Sequence, residues 1–237
     1  MIYKILPLLA LFLTSFTSGT QHKTATPKYT AVVVNEKTSF EAEADMIYHS
    51  LNAGNFAMPK SESFKKALEG FYKLKAKGLV KKNLLTLVDF SMSSNSKRLW
   101  VIDLSNNKIL FNSLVAHGRN TGDEFANSFS NAGQSFKSSL GLYTTGEIYT
   151  GKHGMSLKLD GLEKGVNDNA RNRAVVMHGA DYVSESFIKN HRRLGRSLGC
   201  PAIPVEMTSK IINMIKGKSC LYIYHPSRSV SKTSSLS

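Results

Sequence analysis

Apolar residues recur at helical spacing in two segments that follow a polar stretch at residues 21–37. In the first, "TSFEAEADM", Thr38 and Glu41 have the spacing of a capping box, so a helix is expected to begin there. The second begins at Ser61, a residue typical of a helix N-cap, and ends at Gly78. Its apolar residues share one helical face: Phe64, Ala67, Leu68, Phe71 and Leu74. The pattern predicts two helices that pack against the rest of the chain.

The period of the pattern changes after residue 84, where short β-rich runs replace the helical spacing. "LLTLVDFS", "RLWVIDL" and "KILFNSLVAHG" predict three strands, and the turn "SNNK" joins the last two into a hairpin. Strand character resumes around Tyr143 to Tyr149, after the long polar loop "RNTGDEFANSFSNAGQSFKSS". "RAVVMHGA" and "CLYIYH" predict further strands, and "SESFIKNHRR" and "PVEMTSKIINMIKG" predict short helices, the second with Pro204 at its first position. We therefore expect a mostly β fold with flanking helices.

The N-terminus has the pattern of a secretory signal. Lys4 precedes the apolar run "ILPLLALFLTSF", and the small residues of "TSGT" follow it. The run is too short to span a bilayer, which takes about 20 apolar residues in a helix. We expect a signal peptide at 1–20, a polar leader and helical segment at 21–84, a β-rich domain at 85–226 and a disordered tail at 227–237. The mature protein is then exported to the periplasm or cell envelope, with no stable membrane insertion.

The chain is strongly basic, with 31 Lys and Arg residues against 17 Asp and Glu and a net charge of +14. This excess favours anionic surroundings such as a cell wall with free carboxylates, although a solvated basic surface explains it equally well. The basic residues are scattered rather than interleaved with exposed aromatic residues. No nucleic acid partner is therefore expected.

The two cysteines leave two interpretations open. In an exported protein, Cys200 and Cys220 could form a disulfide worth about 3 kcal/mol. However, Cys220 begins the apolar run "CLYIYH", where a buried thiol is ordinary. Cys200 lies between a flexible Gly199 and a rigid Pro201, which is an unusual setting for a cysteine that only fills a core. This setting favours a reactive thiol.

A cysteine nucleophile requires a base within hydrogen-bond reach, and His178 is the favoured candidate. It ends an apolar strand and is followed by Gly179, so the strand presents the ring at a sheet edge beside a peptide carbonyl. The amides of Gly199 and Cys200 are candidate donors to an oxyanion, and Arg196 adds positive charge for a thiolate or a substrate carboxylate. The histidines and cysteines lack the spacing of a metal site, so neither metal nor cofactor is expected.

"VVMHGADYV" followed by "GRSLGCPA" resembles the L,D-transpeptidase (YkuD-like) catalytic domain family, whose signature is His-Gly, an interval and then Ser-x-Gly-Cys. The resemblance is greatest to the branch described as murein L,D-transpeptidase catalytic domain proteins. It extends from about Leu87 to His225, through "RLWVIDL", "VAHGRNTG", "FSNAGQSFKSSLGLYTTGEIYTGKHG" and "LKLDGLEKGVNDNARNR". It implies a YkuD-like β-sandwich or open barrel, with the nucleophile on a loop at its mouth.

The resemblance also implies a thioester mechanism that acts on peptidoglycan stem peptides. Cys200 would attack the carbonyl of the L centre of a diamino acid in a tetrapeptide stem and release D-Ala. An amine of a second stem would then take the acyl group and form a cross-link. His178 would accept the thiol proton with its ring oriented by the Gly179 carbonyl, and the amides of Gly199 and Cys200 would hold the oxyanion. Ser197 matches the motif serine, with a loop-shaping or substrate-contacting role.

The chain departs from the commoner family motif at two places. Leu198 stands where the motif has a second histidine, and "PA" at 201–202 stands where an Arg or Asn often follows the cysteine. Other residues would then bind substrate carboxylates, and the candidates are Arg196, His153 and Tyr143. Two alternatives remain open: an L,D-carboxypeptidase with water as acceptor, and a non-catalytic wall-binding module. The motifs do not predict the oligomeric state.

Overall fold

The computed structural model describes residues 36–228, and the side chains of residues 39–228. This range contains helices α1 (Glu36–Ser50), α2 (Ser61–Ala76), α3 (Glu185–His191) and α4 (Val205–Ile215). Its strands are β1 (Leu84–Asp89), β2 (Leu99–Asp103), β3 (Lys108–Ser113), β4 (Gly141–Gly151), β5 (Gly154–Gly161), β6 (Val176–Gly179), β7 (Ala202–Ile203) and β8 (Cys220–Tyr224). The predicted signal peptide and most of the predicted leader and tail lie outside the described residues. Within residues 36–228, no helix has the length and apolar character needed to cross a bilayer.

All eight of these strands belong to one mixed sheet in the order β3-β2-β1-β8-β4-β5-β6-β7. The β1–β8 and β6–β7 pairs are parallel, and the other neighbours are antiparallel. Just after β3, Ala116 forms an isolated bridge with Ala202 of β7, and its N–H donates to the Ala202 carbonyl at 2.8 Å. The two edges of the sheet therefore meet, and the sheet is nearly closed into a barrel. The expectation of a mostly β, open-barrel fold with flanking helices is confirmed.

Strand alternation divides the apolar side chains of β1, β2 and β8 between two cores. One face contributes to the barrel interior, which includes Val88, Val101 and Ile223. The opposite face carries Leu87, Trp100 and Tyr222, which share a second core with apolar residues of α1 and α2. The N-terminal helices thus bury one face of the sheet, as the amphipathic pattern predicts.

Several element boundaries differ from the predictions. Helix α1 begins two residues before Thr38, and Ser61 is the first residue of α2 because the extended residue Lys60 is its N-cap. Pro204 is the N-cap of α4 and not its first residue. Strand β3 ends at Ser113, after which only single bridges continue the pairing. Two strands were not predicted: β5, which lies directly after the tight turn that ends β4, and β7, which is only two residues long.

Candidate active site

Strand β6 presents His178 on the side opposite the interior core. Val175 and Met177 point into that core, so the alternation of the strand directs Val176 and His178 to the other side. His178 is only 2% exposed, and its ring Nδ1 lies 2.9 Å from the carbonyl oxygen of Gly179. Because a carbonyl can only accept, Nδ1 carries the hydrogen in the neutral ring and Nε2 is left as the basic atom.

The register between β6 and β7 places Cys200 beside the strand that carries His178. His178 pairs with Ala202 in a parallel ladder, so Cys200, two residues before Ala202, lies alongside Val176, two residues before His178. The Val176 N–H donates to the Cys200 sulfur at 3.4 Å, and the thiol makes a longer contact of 3.8 Å with the Ala174 carbonyl. Both Cys200 and Cys220 are free thiols. The half-buried sulfur is therefore held against the β6 backbone, two residues along the strand from His178.

The turn at residues 197–200, which we call the Cys200 turn, is shaped by Ser197. The Ser197 hydroxyl accepts from the Gly199 N–H at 3.0 Å and donates to the Cys200 carbonyl at 2.6 Å. Gly199 has φ +127°, and a Cβ at this position would lie 2.9 Å from the Lys137 carbonyl oxygen. Only glycine fits this backbone conformation and this close approach without strain.

The backbone amides of the Cys200 turn have different environments. The Gly199 N–H is engaged by the Ser197 hydroxyl. Within residues 36–228, no hydrogen-bond acceptor is assigned to the Cys200 N–H, which lies on the nucleophile residue itself. The Cys200 amide is thus free to bind a developing oxyanion, whereas the Gly199 amide is occupied in this conformation.

A buried hydrogen-bond network around His117 supports the Cys200 turn. The His117 carbonyl accepts from the Ser197 N–H at 3.0 Å. The His117 ring accepts from the Arg98 guanidinium at 2.8 Å and donates to the Gly122 carbonyl at 3.2 Å. Burial and the neighbouring Arg98 charge lower the pKa of His117 to about 4, so this ring stays neutral near pH 7. Both ring nitrogens are occupied, which makes His117 a structural residue and not a base.

The tip of the β4–β5 hairpin (residues 151–154) reaches the candidate base. The His153 ring stacks on the His178 ring, with 4.3 Å between centroids and 20° between planes. Lys152 and His153 are both solvent-exposed at this tip. The hairpin therefore covers one face of the His178 ring and brings a titratable ring and an ammonium group close to it.

Electrostatics favour an uncharged resting pair. Burial lowers the pKa of His178, and the nearby His153 and Lys152 lower it further, while the hydrogen bond to Gly179 partly opposes them. Burial raises the pKa of the Cys200 thiol, against the opposing effects of the Val176 N–H and two nearby cations. A neutral thiol and a neutral imidazole are the resting forms from which general-base activation of a nucleophile starts.

Residues 57–224 match the model of the family described as the L,D-transpeptidase catalytic domain. The match extends over more than half of the chain and includes α2, all eight strands, His178 and Cys200. The chain belongs to the L,D-transpeptidase catalytic domain family. The resemblance inferred from the two motifs is thereby confirmed. A search of the curated proteins found no match.

The solved structures that this chain resembles have low sequence identity to it and TM-scores below 0.5. An L,D-transpeptidase from Mycobacterium smegmatis is 10% identical, with a TM-score of 0.37 over 60% of this chain and 59% of that one. The helical cell shape determining protein Pgp2 (K307A mutant) from Campylobacter jejuni is 15% identical, with a TM-score of 0.40 over 62% of this chain and 48% of that one. The chain thus spans less than two thirds of these two proteins.

Two of the predicted substrate-binding residues are engaged within the protein itself in this L,D-transpeptidase-family fold. Tyr143 is fully buried in the interior core, and its hydroxyl is hydrogen-bonded to the Ser139 side chain and carbonyl. It has no surface to offer a substrate, so the prediction for Tyr143 does not fit the structure. The Arg196 guanidinium binds Asp123 at 2.6 Å and the carbonyls of Arg119 and Gly122 at 3.2 Å. Arg196 therefore anchors the neighbouring loop.

Three side chains close to Cys200 were not singled out from the sequence. They are Lys152 on the hairpin tip, Arg173 just before β6 and Tyr182 just after it. Burial, followed by the nearby Cys200, raises the pKa of Tyr182 to about 12. Lys152 adjoins His153 in "GKHG", which could have directed attention to it. Arg173 and Tyr182 show no local pattern, because only the assembled barrel brings them to the sulfur.

We expect His153→Ala to raise the pKa of His178. The substitution removes a ring whose charge disfavours protonation of His178, and it also exposes the His178 ring to water. Both effects raise a lowered pKa toward its ordinary value, so more His178 is protonated near pH 6 and the acid limb of activity moves to higher pH. Titration of the His178 ring by NMR measures the shift.

The matched control is His191→Ala, because His191 stacks on Phe187 of α3 at 4.0 Å in the same way. It should leave the His178 titration unchanged. An unchanged or lower pKa in His153→Ala would contradict this role of the hairpin tip.

Proposed function

We propose that this chain is an exported L,D-transpeptidase that cross-links peptidoglycan stem peptides through a thioester on Cys200. The observation that carries the proposal is the β6–β7 register, which sets the Cys200 sulfur against the β6 backbone two residues from a buried His178. Membership of the family supports peptidoglycan stems as the substrate. The signal pattern at residues 1–20 supports export.

In the first half-reaction, Nε2 of His178 takes the proton of the Cys200 thiol. The thiolate attacks the carbonyl carbon of the L centre of the diamino acid in a tetrapeptide stem, and the carbonyl oxygen becomes an oxyanion. Collapse of this intermediate breaks the bond to D-Ala, whose amine leaves with the proton held by His178. The remaining acyl group is bound to Cys200 as a thioester. The hydrogen bond between Nδ1 and the Gly179 carbonyl keeps Nε2 directed for both proton transfers.

In the second half-reaction, the side-chain amine of another stem attacks the thioester carbonyl. The amine gives a proton to Nε2 of His178, the C–S bond breaks, and the sulfur recovers its proton from the imidazolium. The product is an amide bond between two diamino acids. The neutral resting state of the imidazole suits this cycle, because the ring must accept a proton in each half-reaction.

The oxyanion is held in this proposal by the Cys200 N–H. Gly199 contributes the backbone conformation of the turn, since its own N–H donates to Ser197. Ser197 holds the turn in place through bonds to the residues on both sides of the Gly199–Cys200 peptide. One amide donor of this type is worth about 10²–10³ in rate when it is preorganised.

The test is to incubate the purified mature protein with sacculi that are rich in tetrapeptide stems and to profile the muropeptides by mass spectrometry. We expect new dimers joined through two diamino acids, together with released D-Ala, and neither product with Cys200→Ala. Tripeptide monomers without new dimers would contradict transfer and establish the carboxypeptidase reaction instead. Binding to sacculi with no product would leave only a wall-binding module.

A further inference from the structure

Arg173 is a half-buried cation that is held by carbonyl and hydroxyl oxygens. Its guanidinium donates to the carbonyls of Lys137 at 2.6 Å and Ser130 at 2.8 Å, and makes longer contacts of 3.4 Å with the hydroxyls of Ser135 and Ser139. In the part of the chain that the structure describes, no Asp or Glu forms an ion pair with it. Burial of a charge without an opposite charge is costly, so a nearby group that becomes negative would stabilise this guanidinium.

The guanidinium lies directly against the Cys200 turn. Its Nη2 is 3.4 Å from the position that a Cβ on Gly199 would occupy. The next residue along the chain, Ala174, contacts the Cys200 sulfur through its carbonyl at 3.8 Å. Residues 173–174 and 199–200 therefore face each other, with the cation of one segment beside the nucleophile of the other.

Two features make Arg173 suited to act on the sulfur. The carbonyls of Ser130 and Lys137 fix the orientation of the guanidinium, so no reorganisation is needed when charge develops nearby. Partial burial also protects its field from screening by salt. The other charged or titratable groups that interact with the sulfur are Tyr182 and the ammonium of Lys152, which is exposed and therefore well screened.

We propose that Arg173 is the counter-ion of the Cys200 thiolate and stabilises the negative charge on the sulfur when His178 removes its proton. This inference rests on the proposed role of Cys200 as the nucleophile. The interaction is reciprocal. The Val176 N–H and then Arg173 oppose the rise that burial causes in the pKa of Cys200, while Tyr143 and then Cys200 oppose the fall that burial causes in the pKa of Arg173.

The test uses alkylation of Cys200 by iodoacetamide as a function of pH, followed by mass spectrometry of the peptide that contains Cys200. Loss of the charge in Arg173→Gln should move the midpoint of the pH–rate profile upward and slow alkylation at pH 7 by about tenfold, since an opposite charge nearby changes a pKa by about one unit or more. Arg173→Lys, which keeps the charge but not the paired carbonyl contacts, should show a smaller shift.

The matched control is Arg171→Gln. Arg171 lies two residues away and is paired with Asp160 at 2.6 Å and Glu147 at 2.8 Å, so its loss should leave the alkylation profile unchanged. A wild-type profile in a folded Arg173→Gln protein would overturn the proposal. An equal shift in Arg173→Lys and Arg173→Gln would also overturn it, because the charge would then have no role.

A second measurement does not depend on folding of an Arg173 variant. Iodoacetate and iodoacetamide react at the same carbon, but only iodoacetate is an anion that a nearby cation attracts. We expect the ratio of their rates at Cys200 to exceed that of a cysteine in an unfolded peptide several-fold, and to stay high in Lys152→Gln, which removes the other cation. A ratio at the peptide value in either protein would contradict the assignment to Arg173.

These experiments measure only the alkylation rate of the Cys200 thiol, and they use no peptidoglycan. A protein that shows the expected alkylation behaviour but forms no cross-links would contradict the proposed function and leave the counter-ion inference intact. A protein that forms cross-links but whose alkylation profile is the same with and without Arg173 would support the proposed function and contradict the counter-ion inference.

Discussion

Cys200→Ala is expected to lower the rate of cross-link formation by about a thousandfold or more, because no other side chain in the proposed mechanism can form the thioester. The fold should survive, since the side chain is small, lies on a turn and has only weak sulfur contacts. Release of D-Ala from tetrapeptide stems, followed over time, measures the loss. A thiol-reactive probe or a carbapenem should label the wild type at Cys200 and leave the variant unlabelled.

The second cysteine provides the matched control. Cys220 is fully buried in β8, within the core that the sheet shares with α2. Cys220→Ala should retain the activity and lower the free energy of unfolding by about 1 kcal/mol through lost packing. Comparable activity in Cys200→Ala and the wild type would remove the basis of the mechanism.

His178→Gln is expected to lower kcat by about 10²–10⁴-fold, the usual contribution of a positioned general base. Glutamine keeps a polar group of similar reach on β6 but cannot accept the thiol proton. Because burial and nearby cations lower the pKa of His178, the wild type should keep its activity below the pH at which free histidine titrates. In His178→Gln, the fall in rate that protonation of His178 causes at lower pH should be absent. A pH series of initial rates for both proteins measures the two effects.

His191→Gln is the control for this substitution. The His191 ring is exposed on α3, and its Nδ1 lies 3.0 Å from the Phe187 carbonyl of its own helix. Its loss should leave both the rate and the pH profile unchanged. Equal losses in His178→Gln and His191→Gln would show that stability, and not proton transfer, limits the measured rate.

Local periodicity predicted most of the elements. The hairpin around "SNNK" became β2 and β3, and the apolar stripe from Phe64 to Leu74 became the buried face of α2. Two residues of pairing are enough for β7 because the parallel ladder with β6 and the bridge to Ala116 support it from both sides. A strand of that length leaves no periodic signal, so its position follows only from the closed sheet.

The candidate site residues also fall into two groups: those that a local sequence pattern indicates, and those that only the assembled fold brings to the site. His178 and Cys200 could be proposed from the sequence because each lies in a distinctive local pattern: a histidine at a strand end before glycine, and a cysteine between glycine and proline. Tyr143 was chosen as a substrate residue, but the phase of β4 directs it into the core. Arg173 lies in no distinctive local pattern, because its proposed role depends on its position beside the Cys200 turn, which is distant in the sequence.

Trapping the acyl-enzyme tests the proposed chemistry most directly. The wild-type protein is mixed with a tetrapeptide stem in the absence of an amine acceptor, quenched in acid and digested for peptide mapping by mass spectrometry. We expect the peptide that contains Cys200 to gain the mass of the stem without its terminal D-Ala, and hydroxylamine to remove this mass as it cleaves a thioester. Formation of D-Ala with the acyl group on another residue, or with an unmodified Cys200 throughout turnover, would contradict the mechanism.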